Sequence, residues 1–300
     1  MEWITGIQRA IDYIEDHLDT QIDYEQAAKE SFSSPYHFQR VFSILSGYTL
    51  GEYIRNRRLS LAGAELATGK EKIIDIAAKY GYESPDAFAR AFQKFHGLTP
   101  SQARSSGARL KNFSRLSFKI TLEGGSIMNY KIVEKEAMVL TGFKRRFTGT
   151  PEQRGNQDMD FWCNTRLNQY VLEGLAHDCD TTYEVLMNFD DDGYDFYIAT
   201  SVDPLVRSLM QEELGEFAQR FEHLTIPAGL YLVCETERCR YPTDLMADLR
   251  SRAVTEWLPS AGYELSGAPE ITVAHWYYEY QNDKLNDSRY AEIWLPIVKK

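Results

Sequence analysis

The sequence predicts two domains: an all-α double helix-turn-helix domain, then an α+β domain built from two sheet-and-helix pseudo-repeats. Three observations carry this. The chain has 300 residues, 43% of them hydrophobic and only ten prolines, enough for two sizeable cores. The stretch 27–50 returns at 77–100 without a gap, with ten identities in twenty-four positions, including Ser34-Pro35 and Ser84-Pro85, Phe38 and Phe88, Arg40 and Arg90, Gly47 and Gly97. After Arg104 the apolar period changes from the three-to-four spacing of helices to the alternation of strands.

Ile4, Ile7, Ile11, Ile14 and Leu18 form the apolar stripe of a first amphipathic helix. Asp23 with Gln26 predicts a capped short second helix through Ala27 and Ala28. Ser34-Pro35 supplies an N-cap and a first-turn proline for a third, and the same pair recurs at 84–85. Thr49 with Glu52, and Thr99 with Gln102, are capping signatures for the helix after each repeat. At 100° per residue, Phe38, Val41, Phe42 and Leu45 form the buried side of the third helix, with Tyr36, Gln39, Arg40 and Ser43 opposite. The second copy buries Phe88, Ala91, Phe92 and Phe95 and shows Asp86, Ala89, Arg90 and Gln93.

A helix held by a short preceding helix, with Gln and Arg near its N-terminal end, has the layout of a major-groove reader. Arginine can bind guanine and glutamine adenine with two bonds each. Outward Arg and Gln suit a solvated bundle face equally well on periodicity alone. Between the copies, "TLGEYIRNRRLSLAGAELATGK" predicts a helix roughly 25 Å long, a spacer able to set two readers about one DNA turn apart. Charge permits this: residues 1–120 carry 16 basic against 14 acidic side chains, and residues 121–300 carry 17 against 30. The excess of acid is concentrated in the second half.

The segment 7–104, with "FSSPYHFQRVFSILSGYTLGEYIRNRRL" and "IIDIAAKYGYESPDAFARAFQKFHGLTPSQAR" fifty residues apart, resembles the DNA-binding domain of the AraC/XylS transcription regulators. The resemblance implies seven helices with two homeodomain-like helix-turn-helix motifs entering adjacent major grooves of duplex DNA. It places recognition helices at Ser34–Leu45 and Ser84–Phe95, with Tyr36, Gln39 and Arg40, then Asp86, Ala87 and Arg90, at base-contact positions. Asp86 departs from the polar amides often found there. RNA polymerase is the further partner it implies.

Ser, Gly and the basic residues Arg109, Lys111, Arg115 and Lys119 then mark a connection. The domains are read as 1–107, a linker 108–126, and 127–300. In the last, strand-like "MNYKIVEKEAMVLTGFKRRF" leads to a helix near Asp158–Leu175 and to strands "TTYEVLMNF" and "DGYDFYIATSV" around a "DDDG" turn. The order returns with "FEHLTIPAGLYLVCETE", a helix near Thr243–Trp257, "ITVAHWYYEY" and "YAEIWLPIVKK", predicting two packed halves around a cleft.

In "AEIWLPI", Glu292 and Trp294 share one strand face and Ala291, Ile293, Leu295 and Ile297 the other. The pattern alone favours an edge strand with a solvated glutamate. The span 128–300, with "FEHLTIPAGLYLVCE", "WLPSAGYEL" and "EIWLPI", is similar to GyrI-like effector-binding domains, and this reverses the reading. It implies that Glu292 points into an aromatic-lined cleft and pairs with cationic or amphipathic ligands. Tyr231, Trp276, Tyr278 and Trp294 are the candidates for its wall. Such a cleft suits a lipophilic cation, through its aromatic faces and its one desolvated carboxylate.

The alternatives are a small-molecule hydrolase using Glu292 as base, or a protein-docking module. No GxSxG, HExxH or phosphate-cradling glycine loop supports catalysis. Cys234 and Cys239, near His223 and His275 in sequence, lack zinc-like spacing and read as reduced thiols, so no metal or cofactor is expected. With no leader pattern and no long apolar run, the expectation is a cytoplasmic protein without membrane contact.

Overall fold

The computed structural model describes residues 2–117, 127–276 and 287–300. The chain forms two compact units, one holding the helices up to residue 117 and the other the strands from residue 130. Among the described residues the first unit holds seven helices: α1 (Glu2–Asp16), α2 (Tyr24–Glu30), α3 (Pro35–Ser46), α4 (Leu50–Thr68), α5 (Ile73–Lys79), α6 (Pro85–His96) and α7 (Pro100–Ala103). Ile7, Ile11, Ile14 and Leu18 are buried as their spacing requires, while the Ile4 side chain lies outside the described residues.

Both predicted capping boxes form, with Thr49 and Glu52 exchanging side-chain bonds to each other's backbone, and likewise Thr99 and Gln102. At α2 the Asp23 carboxylate accepts from Glu25 N and Gln26 N, but Gln26 donates to Glu30 at 3.2 Å instead of reaching back. The repeated glycines Gly47 and Gly97 stand at φ 75° and 83°, left-handed values that end α3 and α6 and that a β-carbon would penalise. Leu59, Leu66, Ile76, Phe88 and Phe92 pack the second repeat into one cluster.

The stretch read as a linker is in part fastened to this unit. Phe113 N donates to Ser60 Oγ at 2.7 Å and Leu116 N to the Tyr53 hydroxyl at 3.2 Å. Lys111 N donates to Nδ1 of buried His96 at 3.1 Å, leaving its Nε2–H for the Leu59 carbonyl at 2.9 Å. Arg115 pairs with Asp12.

The second unit is an α+β domain on a nine-stranded antiparallel sheet. Its first half runs β1 (Tyr130–Lys135), β2 (Met138–Thr148), α8 (Pro151–Asn164), α9 (Arg166–Leu175), β3 (Thr181–Asp190), β4 (Gly193–Thr200) and α10 (Pro204–Leu214). Its second half runs β5 (Glu222–Ile226), β6 (Gly229–Glu235), α11 (Met246–Arg252), β7 (Tyr263–Leu265), β8 (Glu270–His275) and β9 (Tyr290–Lys299). The helix predicted at Asp158–Leu175 starts earlier, at a Thr150–Gln153 capping box, and breaks at Thr165. Helix α10 was not predicted; "FEHLTIPAGLYLVCETE" forms strands as expected, parted where Pro227 offers no N–H to the ladder.

The strand order β1-β6-β9-β8-β3-β4-β2-β5 relates the halves by a pseudo-two-fold at the β3–β8 pair. Each half borrows its outer strand: β1 pairs with β6, and β5 with β2. Lys135 stands opposite Gly229 and Met138 opposite Ile226, so the register runs unbroken across the join. The two halves therefore share one continuous bent ribbon. One face of the sheet carries Leu140, Val185, Tyr197, Tyr231, Val273 and Trp294 as a core. The other packs Phe143, Leu186 and Phe196 under Phe161 of α8, Leu172 of α9 and Met210 of α10.

Candidate functional site

The two helices expected to be recognition helices, α3 and α6, present different surfaces. On α6, Asp86 and Arg90 are exposed and Ala87 is half-buried, and the hydroxyl of Ser84 accepts from Ala87 N at 3.2 Å to fix the helix start. On α3, Tyr36 and Gln39 are half-buried, whereas Arg40 is buried at 6% exposure. That corrects the outward position the helical projection gave Arg40. A projection fixes where a side chain leaves the helix, not what lies against its far end, and a long arginine stem readily lies along apolar surface.

Glu292 sits on β9, which lies between β6 and β8 and is not an edge strand. Its exposure is 9%, so the solvated-edge reading fails. Trp294 Nε1, two residues on and on the same face, donates to Glu292 Oε2 at 2.6 Å. Lys131 Nζ donates to Glu292 Oε1 and to Glu235 Oε1, both at 3.1 Å. Lys135 Nζ stands 3.6 Å from the centre of the Trp294 ring. Tyr183 and Tyr231 meet that ring edge-on, with centroids at 6.4 and 6.3 Å. Among the described residues the buried Tyr231 hydroxyl has no hydrogen-bond partner.

Burial pushes the Glu292 carboxyl up, but the Trp294 and Lys131 hydrogen bonds outweigh it and hold the group below its ordinary value. Burial likewise lowers Lys135. The chemistry is that of a cation seat: an ionised carboxylate beside an indole face, with two ammonium groups of the chain already against them.

Of the predicted wall, Trp294 donates to Glu292 and Tyr231 packs against the Trp294 ring. Trp276 does not. It follows His275 on β8, and strand alternation turns it to the opposite face, where its Nε1 donates to Thr182 Oγ1 at 3.2 Å. Tyr278 lies outside the described residues. Sequence reasoning missed Lys131, Lys135, Tyr183 and Glu235. The alternation Lys131-Val133-Lys135 shows that both lysines share a face, but nothing local says that β1 pairs with β6, about a hundred residues on. Cys234 is buried and Cys239 half-buried, and the described residues bring together no group of three potential metal ligands. Among them, no helix is long and apolar enough to cross a membrane.

Comparison with known proteins matches residues 27–106 to a family described as "Helix-turn-helix domain" and residues 131–297 to "Integron-associated effector binding protein". The chain is 43% identical over 98 residues to the regulatory protein SoxS of Salmonella typhimurium, covering 33% of this chain and 92% of that protein. It is 26% identical over 227 residues to the transcriptional regulator Rob of the same organism, covering 74% of each. Among solved structures, SAV2435 bound to tetraphenylphosphonium aligns with a TM-score of 0.42 at 15% identity, covering 57% of this chain and 94% of that one.

Proposed function

The chain belongs to the integron-associated effector binding proteins through its second unit and to the AraC/XylS regulators through its first, and from that premise we propose that Glu292 and Trp294 receive a lipophilic cation in a regulator whose α3 and α6 read an operator. It is a DNA-binding transcription regulator with an effector-binding domain, and neither family is catalytic. One observation carries the effector reading: two ammonium groups of the chain occupy the seats a cationic ligand would take, Lys131 on the carboxylate and Lys135 on the indole face. Lys131 is about half exposed, so its pair with Glu292 is worth roughly 0–1 kcal/mol and yields readily to a ligand that brings its own apolar surface. Tyr183 and Tyr231 supply the walls.

Titration with tetraphenylphosphonium tests this. Glu292→Gln should weaken binding by at least about tenfold, roughly 1.4 kcal/mol, and Lys131→Met should tighten it by removing the resident competitor. Equal affinity of all three proteins would remove the cation from Glu292.

The operator reading assigns base contacts to Tyr36, Gln39 and Arg40 of α3 and to Asp86, Ala87 and Arg90 of α6. The exposed Arg90 is the cleaner test: Arg90→Ala should lose about 1–3 kcal/mol of specific binding and relax preference at one base position. Selection from random duplexes at a stated near-physiological salt supplies the site. An asymmetric site with two segments about one helical turn apart is expected, and unchanged selectivity in the variant would exclude Arg90 as a reader. The same reading retains the domains 1–107 and 127–300 around the linker 108–126, RNA polymerase as partner, and a cytoplasmic location.

A further inference from the structure

A cavity of about 780 Å³ lies on the helix-covered face of the sheet, opposite to Glu292, over the β3–β8 seam. Trp162, Phe196, Met246 and Trp276 give it apolar and aromatic walls, and Glu184 and Thr272 stand at its floor. These two are direct cross-strand partners, 9% and 1% exposed. Thr272 Oγ1 has no hydrogen-bond partner among the described residues, and Glu184 lines the same space beside it.

Desolvating a carboxylate is costly. Three arginines line the same cavity, and two of them hydrogen-bond elsewhere. Arg154 donates to the Gly149 carbonyl, Arg166 to Gln169 at 3.2 Å, and Arg250 faces Glu270 at 3.8 Å. Burial, then the nearby Asp158 carboxylate, push the Glu184 carboxyl up to about 7, with Arg250 pulling the other way. Two polar groups thus stand side by side at an aromatic-walled space, the threonine hydroxyl without a partner among the described residues.

We propose that this cavity is a second small-molecule site, distinct from the one at Glu292, and that it takes a primary ammonium on an aromatic or aliphatic body. Such a group donates one N–H to the Glu184 carboxylate and another to the Thr272 hydroxyl, while its body lies between Trp162 and Trp276. A carboxylate ligand is repelled by Glu184, and a quaternary ammonium has no N–H to give. Trp276, which the alternation of β8 removes from the Glu292 wall, finds its role here.

The test is calorimetric titration of the full chain with 1-naphthylmethylammonium, alongside its N,N,N-trimethyl analogue. Two binding steps are expected for the primary amine. Glu184→Gln, isosteric and relieved of a buried charge, should weaken one step at least tenfold and leave the other. Thr272→Val should weaken the same step several-fold, and the trimethyl analogue should lose that step alone. Glu292→Gln should leave it in place. If Glu184→Gln and Thr272→Val both bind as the parent does, or if Glu292→Gln abolishes all binding, the second site is refuted. If Glu292→Gln changes nothing while Glu184→Gln removes a step, the second site stands and the assignment of the cation to Glu292 falls.

Discussion

Replacing Arg57 by alanine should destabilise the helical unit by about 3–5 kcal/mol, the range for breaking a buried ion pair by removing one partner. Arg57 Nε and Nη2 donate to the two oxygens of Glu15 at 2.8 Å each, and its Nη1 donates to the Phe113 carbonyl at 2.6 Å. The Tyr53 hydroxyl donates to the same carboxylate at 2.6 Å. The paired side chains are 12% and 7% exposed, so water cannot replace the lost partner. This network ties α1 to α4, the long helix between the two repeats, and brings the chain after α7 onto the same point. Urea unfolding of the full chain, followed by loss of helical signal, should show the shift; an unmoved midpoint would make the pair dispensable.

Its pH dependence has a definite sign. Burial raises the Glu15 carboxyl, but the bonds from Arg57 and Tyr53 outweigh it and the net value lies below the ordinary 4.5. The folded state therefore binds its proton more weakly than the unfolded one. The stabilisation is complete above the unfolded value and is lost as pH falls through the lower folded value. Glu15→Gln should be less stable than the parent at neutral pH and should lose this acid sensitivity.

Trp294→Ala should cost a similar amount in the sheet domain, about 3–5 kcal/mol from packing, since the indole is 6% exposed within the inner core. It also strips Glu292 of its 2.6 Å donor. Trp294→Phe separates the two effects, keeping a ring under Lys135 while deleting the Nε1–H. Because that bond is among the influences lowering the Glu292 carboxyl, its loss lets burial raise the titration point. Carboxyl NMR of the phenylalanine variant should show Glu292 titrating higher than in the parent; an unchanged value would mean that the Trp294 bond does not help to set it.

The helical half was legible because its determinants are local. Capping pairs three residues apart, a serine-proline start and a glycine stop each act within one turn, and the fifty-residue repeat displayed every one of them twice. The exposure of Arg40 was not legible, because it depends on what approaches the helix from elsewhere. In the sheet, alternation correctly put Glu292 and Trp294 on one face. The same rule would have excluded Trp276 had the pairing of β8 beside β9 been known. Lys131 and Lys135 stayed hidden for a topological reason: β1 is followed in sequence by β2 but pairs in space with β6, and no short-range signal encodes an exchange of edge strands.

The interior position of β9 bears on how the protein comes off the ribosome. The bonds that fasten the chain to the helical unit reach Leu116, and that unit's short-range contacts form quickly. The sheet must wait for β9, because β6 and β8 are both bridged by a strand that follows them in the chain. At 5–20 residues per second, that interval is on the order of ten to forty seconds. Throughout it the nascent chain carries its helical unit joined to strands with open edges, and no molecule has its effector seat until that interval is over.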